Sequence, residues 1–324
     1  MFKQLFAATL LAAMATTSMA EGPRVWLDTD HGPIILELDE VNAPITTQNF
    51  LAYVNDGFYD DIIFHRAING FIVQSGGFDR RFQLRQPTRS AISSEAGNGL
   101  DNSNGTIAMA LVGSDVNSAR TQFYINTAEN SNLDGDFTVF GRVVAGMGTV
   151  SAIENLRTGV MAFSANSQYQ NVPVGQPGIR RAVEVEPGGF PIMPLHTGSW
   201  FDPATSGVGL NVEVSNDAST EEGPLVAAYW YDFREGRQIW LTGAQTFEYG
   251  ATEVTIDMFT FEGEGGDFQS PPSQGERETW GSLTVRFESC SDAQFSYDSP
   301  TAGQGELSLT RLTLPDGSSC QNLD

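Results

Sequence analysis

Apolar and polar residues alternate in short runs along most of the chain, and this period-two pattern is typical of half-buried β-strands. It is clearest where Leu283, Val285 and Phe287 alternate with polar neighbours. In the first half, β-rich apolar runs on either side of a turn signal predict strands at 24–29 and 33–39, and further short strands are predicted at 62–65, 71–74, 106–111, 121–126, 137–143 and about 180–185. In the second half, the period-two pattern predicts strands at 208–214, 225–231, 237–242, 252–261, 283–287, 293–297 and 305–313.

Helical spacing of apolar residues occurs at two places, both in the first half. One lies around 46–54, where a threonine is expected to cap the start, and the other around 150–156, with glycines on both sides. Two helices and some eight strands suggest a closed antiparallel barrel capped by helices. The second half shows no helical pattern, which indicates a small all-β barrel or sandwich. The predicted fold class is therefore mainly β.

A change in composition divides the chain of 324 residues. The segment PGGFPIMPL at 187–195 contains three prolines and two glycines, and such segments interrupt regular structure. We therefore expect one domain over 21–186, a linker over 187–195 and an all-β domain over 196–324.

Residues 1–20 differ from the rest of the chain. Lys3 precedes an apolar run, and Ser18-Met19-Ala20 supplies a small-x-small cleavage site. This order predicts a cleavable secretory signal peptide, a mature chain that starts near Glu21, and a periplasmic or secreted protein. The alternative is a short buried helix. The run is too short to span a membrane, and no later run is long enough, so no membrane span is expected.

Two cysteines, Cys290 and Cys320, lie near the end of the sequence. In an oxidising compartment an even pair favours a disulfide, and the alternative, a pair of free thiols, is disfavoured by export. No partners stand at zinc-ligand spacing.

The formal charge is strongly negative, with 17 basic and 40 acidic residues and a net charge of −23. An acidic surface repels phosphates, so neither nucleic acid nor an anionic membrane is an expected partner.

The candidate chemistry lies around Arg66. It precedes an apolar strand that carries Gln74, and a later strand region contains Gln122 and Tyr124. If both strands present one face, they form an apolar pocket edged by one cation and two amides, suited to a small apolar group beside a peptide bond. The alternative is that Arg66 is a solvated surface charge and the aromatic residues are core.

Four motifs resemble the cyclophilins: FHRAINGFIVQSGG at 64–77, GTIAMA at 105–110, TQFYIN at 121–126 and LDGDFTVFGRVVAGM at 133–147. ISSEAGNGLDNSNGTIAMA at 92–110 and YQNVP at 169–173 are similar in particular to bacterial exported members. The resemblance covers about 24–186. It implies a closed eight-stranded barrel with two capping helices, no cofactor, and peptidyl-prolyl cis/trans isomerase activity that assists the folding of exported proteins with X–Pro bonds.

The resemblance also assigns the site. The catalytic arginine falls on Arg66, and the substrate-binding positions fall on Phe71, Ile72, Gln74, Ala110, Leu111, Gln122, Tyr124, Leu133 and Phe137. The reaction moves no proton, so His65 is expected to be structural. No metal site is expected either, because the calcium-loop-like stretch from Asn130 has Gly141 where a bidentate glutamate would stand.

The second domain resembles an uncharacterised β-rich module of exported bacterial proteins, through GSWFDPATSGVGL at 198–210 and the aromatic strands that follow it. Its tryptophans, Trp200, Trp230, Trp240 and Trp280, are expected to be core rather than exposed ligand contacts. A glycan, a peptide or an envelope component remains open as its ligand. Two alternatives to catalysis also remain: a barrel that only binds proline-containing segments, and a β domain that carries the main role.

Overall fold

The computed structural model describes residues 22–164, 167–187, 189–205, 209–215, 223–234, 237–261 and 277–313. The predicted signal peptide over 1–20 and Cys320 lie outside these ranges, so the cleavage and the Cys290–Cys320 disulfide stay predictions. Within the described part, no helix has both the length and the apolar character needed to cross a membrane.

The described part of the first domain contains eleven strands and two α-helices. Its strands are β1 (Arg24–Thr29), β2 (Gly32–Leu38), β3 (Ile62–Ile63), β4 (Arg66–Ile68), β5 (Ile72–Ser75), β6 (Thr106–Met109), β7 (Phe123–Asn126), β8 (Val139–Ala145), β9 (Thr158–Ser164), β10 (Ser167–Pro173) and β11 (Gly178–Val185). Its helices are α1 (Pro44–Asn55) and α2 (Met147–Glu154).

Nine of these strands form one sheet in the order β3-β11-β1-β2-β8-β6-β7-β5-β4, and β9 pairs only with β10. The edge strands β3 and β4 are separated in the chain by only Phe64 and His65, so the sheet curls until its two edges are neighbours. The mainly β class and the two helices are confirmed. The cyclophilin-like sheet has nine strands rather than the expected eight, and its two edge strands are not paired with each other.

An aromatic cluster fills the inside of this sheet. The ring of Phe50 on α1 lies 5.1 Å from Tyr59, 5.4 Å from Phe123 and 5.3 Å from Phe140, and all four side chains are fully buried. Aromatic pairs at these separations stabilise the fold beyond the contribution of the apolar area they bury. The packing fixes α1 across one end of the sheet interior.

The start of α1 is capped differently from the expectation. No side chain at the helix start caps it. Instead, the carboxylate of Glu95 accepts hydrogen bonds from the backbone nitrogens of Ile45 and Thr46, at 3.0 and 2.8 Å. A carboxylate at a helix N-terminus satisfies unpaired donors and complements the helix dipole. The predicted threonine cap is therefore wrong, because a residue 50 positions away in the chain fills that place.

The second domain is a closed eight-stranded barrel. Its strands are β12 (Gly198–Phe201), β13 (Gly209–Ser215), β14 (Leu225–Arg234), β15 (Arg237–Thr246), β16 (Glu253–Phe261), β17 (Arg277–Phe287), β18 (Asp292–Ser299) and β19 (Gly303–Arg311). Three tryptophans, Trp200, Trp230 and Trp280, are buried as expected. The fourth expectation is wrong, because Trp240 is 61% exposed on the outside of the barrel.

The predicted linker is packed and partly buried. Ile192 and Met193 are 0% and 1% exposed, and Phe190 forms a β-bridge with Phe287 of the second barrel. The backbone nitrogen of Ile192 donates to the oxygen of Ala251 at 2.9 Å. The domain boundary at 187–195 stays a prediction, but the segment packs as part of an interface.

That interface covers the outer face of β1 and β2. Trp26 and Ile35 stand opposite each other in these strands and are 2% and 1% exposed. They cluster with Val185 of β11 and, from the second-domain side, with Met193 and Cys290. Burial on both faces explains why β1 and β2 read as nearly continuous apolar runs rather than alternating ones.

A polar contact and a close approach join the domains beside this cluster. The Arg181 guanidinium lies 3.5 Å from the ring centroid of Tyr249, a cation–π contact. Gly250 has a φ of +92°, and a Cβ there would collide with the carbonyl oxygen of Glu184 and lie 2.9 Å from Val183 Cγ1. The backbone of Glu186 donates to Gly250 at 2.9 Å. The two domains thus meet backbone to backbone.

We predict that Gly250→Ala destabilises the protein by about 1–3 kcal/mol more than Gly303→Ala, because only the first substitution overpacks the interface. Both glycines have positive φ, but a Cβ at Gly303 meets nothing within 4 Å, so the control has comparable backbone strain alone. Urea denaturation of the two variants measures the difference. Equal loss in both variants would contradict a tight contact at Gly250.

Candidate active site

A row of residues in direct register crosses five strands of the first domain. Arg66 on β4 faces Gln74 on β5, which faces Tyr124 on β7, which faces Ala108 on β6, which faces Val139 on β8. Directly opposed residues in an antiparallel sheet project from the same face. The sequence therefore brings a cation, an amide and an aromatic ring together through strand register alone.

The residues one position along each strand face the other way. Val73, Ile125 and Ile107 form the adjacent row and belong to the main core, all at 0% exposure. Alternation along the strands thus separates a filled interior from the site face.

The apolar part of the site is a second, smaller cluster on that face. Ile72 and Tyr124 are 4% and 3% exposed, and half-buried Phe71, Leu133 and Phe137 surround them. The rings of Tyr124 and Phe137 meet edge to face at 5.9 Å. This arrangement offers a small apolar surface with partly accessible walls, which suits a compact apolar group.

The polar part of the site is a chain of hydrogen bonds. Arg66 Nη1 donates to Gln74 Oε1 at 3.3 Å, and Gln74 Nε2 donates to Gln122 Oε1 at 3.0 Å. Half-burial lowers the pKa of the Arg66 guanidinium from its ordinary value, yet arginine stays protonated in proteins. These hydrogen bonds hold the permanently charged Arg66 guanidinium at the edge of the apolar cluster.

The two remaining predicted site residues, Ala110 and Leu111, pack in different clusters. Ala110 packs with the apolar cluster, and its backbone nitrogen donates to the oxygen of Gln122 at 2.9 Å. Leu111 is half-buried and packs instead against the main core. Leu100 joins the apolar cluster although no pattern in the sequence singled it out.

His65 lies next to Arg66 but faces the interior. It is fully buried, with its ring 5.0 Å from Phe78 and 5.9 Å from Tyr169 of β10. Burial lowers the pKa of His65 to about 4, and the charge of Arg66 acts in the same direction. The imidazole is therefore neutral at pH 7 and packs as a structural ring.

Sequence reasoning missed a buried polar network behind the pocket. The hydroxyl of Tyr124 donates to Asn102 Oδ1 at 2.8 Å, and Asn102 is joined to Asn126, Asn130 and Asp134. The sequence indicates this network only weakly. Its asparagines lie in turn-like stretches, where asparagine usually stabilises a turn. Only the fold brings these residues together.

This fold and site define a mainly β protein that holds an arginine over a small apolar pocket. A family model described as cyclophilin type peptidyl-prolyl cis-trans isomerase/CLD matches residues 24–179. The chain is 41% identical to peptidyl-prolyl cis-trans isomerase cyp18 of Streptomyces antibioticus, over 50% of this chain and 97% of that protein. The chain belongs to the cyclophilin family, and its enzyme class is peptidyl-prolyl cis-trans isomerase.

Two other curated relatives agree with this assignment. Peptidyl-prolyl cis-trans isomerase A of Dickeya dadantii is 43% identical over 50% of this chain and 82% of its own length. Peptidyl-prolyl cis-trans isomerase B of Escherichia coli is 40% identical, over 46% of this chain and 92% of its own length. A solved Cryptosporidium parvum cyclophilin, crystallised with the dipeptide Ala-Pro, is 24% identical, covers 50% of this chain and 99% of its own, and superposes with a TM-score of 0.42.

We predict that His65→Phe removes an acid sensitivity from the fold. Between about pH 4 and 6.5 the unfolded imidazole binds a proton that the folded one does not, so the free energy of unfolding falls as the pH falls. A pKa lowered from 6.5 to about 4 corresponds to on the order of 3 kcal/mol.

Urea denaturation at about pH 7 and pH 4.5 measures this loss, and His65→Phe should lose less stability on acidification than the parent. His31→Phe is the control, because His31 is exposed in the turn between β1 and β2. The buried His196, with a pKa lowered to about 3 by burial, contributes equally to all three proteins. Equal acid sensitivity in parent and His65→Phe would show that burial does not hold His65 neutral.

Proposed function

We propose that the protein catalyses cis/trans isomerisation of X–Pro bonds in exported proteins and thereby assists their folding. Arg66 supplies the transition-state donor, and the cluster of Phe71, Ile72, Tyr124, Leu133 and Phe137 holds the proline ring. The observation that supports this most directly is the hydrogen-bonded row from Arg66 to Gln74 beside that cluster.

The reaction is a rotation about a bond with partial double-bond character. The barrier is about 18–20 kcal/mol, and uncatalysed exchange at X–Pro takes tens to hundreds of seconds. In the twisted transition state the resonance is lost, and the proline nitrogen becomes pyramidal and gains a lone pair. A donor aimed at that nitrogen binds the twisted state better than either planar state, which lowers the barrier.

The residues of the site suit these roles. Arg66 presents a planar fork of donors that stays charged, and Gln74 occupies one of its nitrogens while others remain available to a ligand. The apolar cluster anchors the pyrrolidine ring while the carbonyl side rotates. No proton moves in this scheme, in agreement with a buried and neutral His65.

The rival to catalysis is a barrel that only binds proline-containing segments. We expect Arg66→Ala to lower kcat/KM by about 10²–10³, the usual cost of removing one donor to a transition state. Arg66→Lys keeps the charge without the fork and should recover only part of the activity. A protease-coupled peptide assay on the mature chain measures both.

Arg180→Ala is the matched control, because Arg180 is an exposed barrel arginine paired with Asp28 on β1. It should retain parental activity. If Arg66→Ala folds normally and is as active as Arg180→Ala, catalysis does not depend on the guanidinium and the proposed mechanism is wrong.

Export is part of the proposal and is supported by the sequence of residues 1–20. We expect expression of the full gene in a Gram-negative host to give a periplasmic or secreted protein whose first residue is Glu21. N-terminal sequencing of the fractionated protein tests this. A cytoplasmic protein that retains Met1 to Ala20 would contradict export and, with it, exported proteins as clients.

The ligand of the second barrel stays a prediction among a glycan, a peptide and an envelope component. We propose that such a ligand would bind near Trp240. Exposed Trp240 packs edge to face against Tyr231 at 4.6 Å, and Tyr231 Oη accepts a hydrogen bond from Asn211 at 3.2 Å. This outer face of β13, β14 and β15 thus combines aromatic surface with the amide of Asn211.

A further inference from the structure

Asn102 is a polar residue buried to 1% exposure in the loop between β5 and β6. Its backbone nitrogen and its Nδ2 donate to Asp134 Oδ1 at 2.7 and 3.1 Å. Its carbonyl oxygen accepts from the backbone nitrogen of Asn130 at 2.9 Å. Its Oδ1 accepts from Tyr124 Oη at 2.8 Å and from Asn126 Nδ2 at 3.2 Å.

The partners of Asn102 are the residues that carry the pocket walls. Tyr124 is itself a wall, and Asn130 and Asp134 flank the turn Ser131–Leu133 that presents Leu133. Asn130 Nδ2 also donates to the carbonyl oxygen of Phe71 at 2.8 Å. Asn102 therefore bonds to one wall directly and to both ends of the turn that carries a second, and Asn130 links this network to the third.

We propose that Asn102 is a positioning residue for the X–Pro pocket, which it holds open at a fixed width by tying Tyr124 to the turn that carries Leu133. This inference rests on the isomerase function proposed above. Asn102 is buried behind Tyr124 and acts on the substrate only through the walls it holds.

The chemistry of the network explains why the residue is an asparagine. Its amide must accept from the Tyr124 hydroxyl on one side and donate to the Asp134 carboxylate on the other. Neither aspartate, which only accepts when ionised, nor leucine can do both. Because burial, and secondarily the charge of Asp134, raise the pKa of Tyr124 well above its ordinary value, the hydroxyl remains a donor at neutral pH.

The network also decides which part of Tyr124 the substrate meets. The hydroxyl is turned into the buried network, so the pocket receives the ring and not the polar group. An unpaired hydroxyl in this position would be costly to bury. The pocket therefore stays apolar although one of its walls is a tyrosine.

The test exchanges the donor and the acceptor. Asn102→Asp places two carboxylates in contact, loosens the turn, and should lower kcat/KM about tenfold at neutral pH, mainly through KM. In the double variant Asn102→Asp with Asp134→Asn, the amide at position 134 can donate to the carboxylate at position 102, so the hydrogen bond is restored in the opposite direction. It should recover most of the loss.

Asn42→Asp is the matched control. Asn42 Nδ2 donates to Asp39 Oδ2 at 2.8 Å in an exposed loop, so the same substitution creates the same carboxylate pair away from the pocket. It should keep parental kinetics. A loss equal to that of Asn102→Asp would show that the effect is not specific to the pocket.

A pH profile separates positioning from a general loss of structure. Facing carboxylates raise the pKa of one of them, so a shared proton should restore a hydrogen bond in Asn102→Asp as the pH falls. The titratable groups that contact Asn102 are Asp134 and Tyr124, while neighbouring Asp101 is exposed. The defect should shrink between about pH 7.5 and 5 in this variant alone, as measured by protease-free NMR exchange on a proline peptide.

Two further measurements test the positioning role of Asn102. If Asn102→Asp fails to fold, Tyr124→Phe removes one bond of the network and should raise KM about two- to threefold with kcat unchanged. Parental kinetics in folded Asn102→Asp, or no recovery in the double variant, would overturn the positioning role.

The two proposals can fail separately. If the parent protein is inactive, the proposed function fails. Chemical-shift titration with the same proline peptide then still compares the affinities of the parent, single and double variants. Weaker binding in Asn102→Asp that the double variant restores would support positioning without catalysis, and equal affinities would overturn it.

Discussion

The alternation of side chains along β5 and β7 is the constraint on which both the fold and the site depend. Val73 and Ile125 face inward and fill the core, while Gln74 and Tyr124 face outward into the site. A slip of one residue in either strand would exchange these two sets. The burial of apolar side chains that stabilises the sheet therefore also fixes the distance between Arg66 and the apolar cluster.

An apolar pocket on a sheet needs walls taken from loops, and loops carry polar backbone that must be satisfied. Here the loops are held by a buried asparagine network, so the pocket exists before any ligand arrives. Pre-organisation of this kind reduces the entropy that binding costs. It also suits a reaction whose catalysis is a difference in binding between planar and twisted peptide bonds, since a loose donor or wall would favour neither state.

Local patterns predicted the elements well and the long-range polar contacts poorly. Strand alternation and helical spacing located most strands and both helices, and motif resemblance placed Arg66 beside Gln74 and Tyr124. The hairpin of β9 and β10 was missed because TGVMAFS and SQYQNVP do not alternate. The Glu95 cap and the contact of Asn102 with Asp134 join residues about 50 and 32 positions apart, and no window of sequence contains both partners. The burial of Trp240 was predicted wrongly, because the spacing of apolar residues along a strand does not show which face of the sheet is buried.

The packing between the domains changes what the proline-rich segment means. Composition alone suggested a linker, whereas Ile192 is buried against the second barrel and Met193 is buried in the cluster between the domains. The apolar outer face of Trp26 and Ile35 would be exposed if the second barrel were absent, and exposed patches of that kind favour aggregation. The second barrel therefore covers an apolar face of the isomerase domain. Since Trp26 and Ile35 lie on β1 and β2, and the row of site residues ends on β8 beside β2, the interface and the site share one sheet.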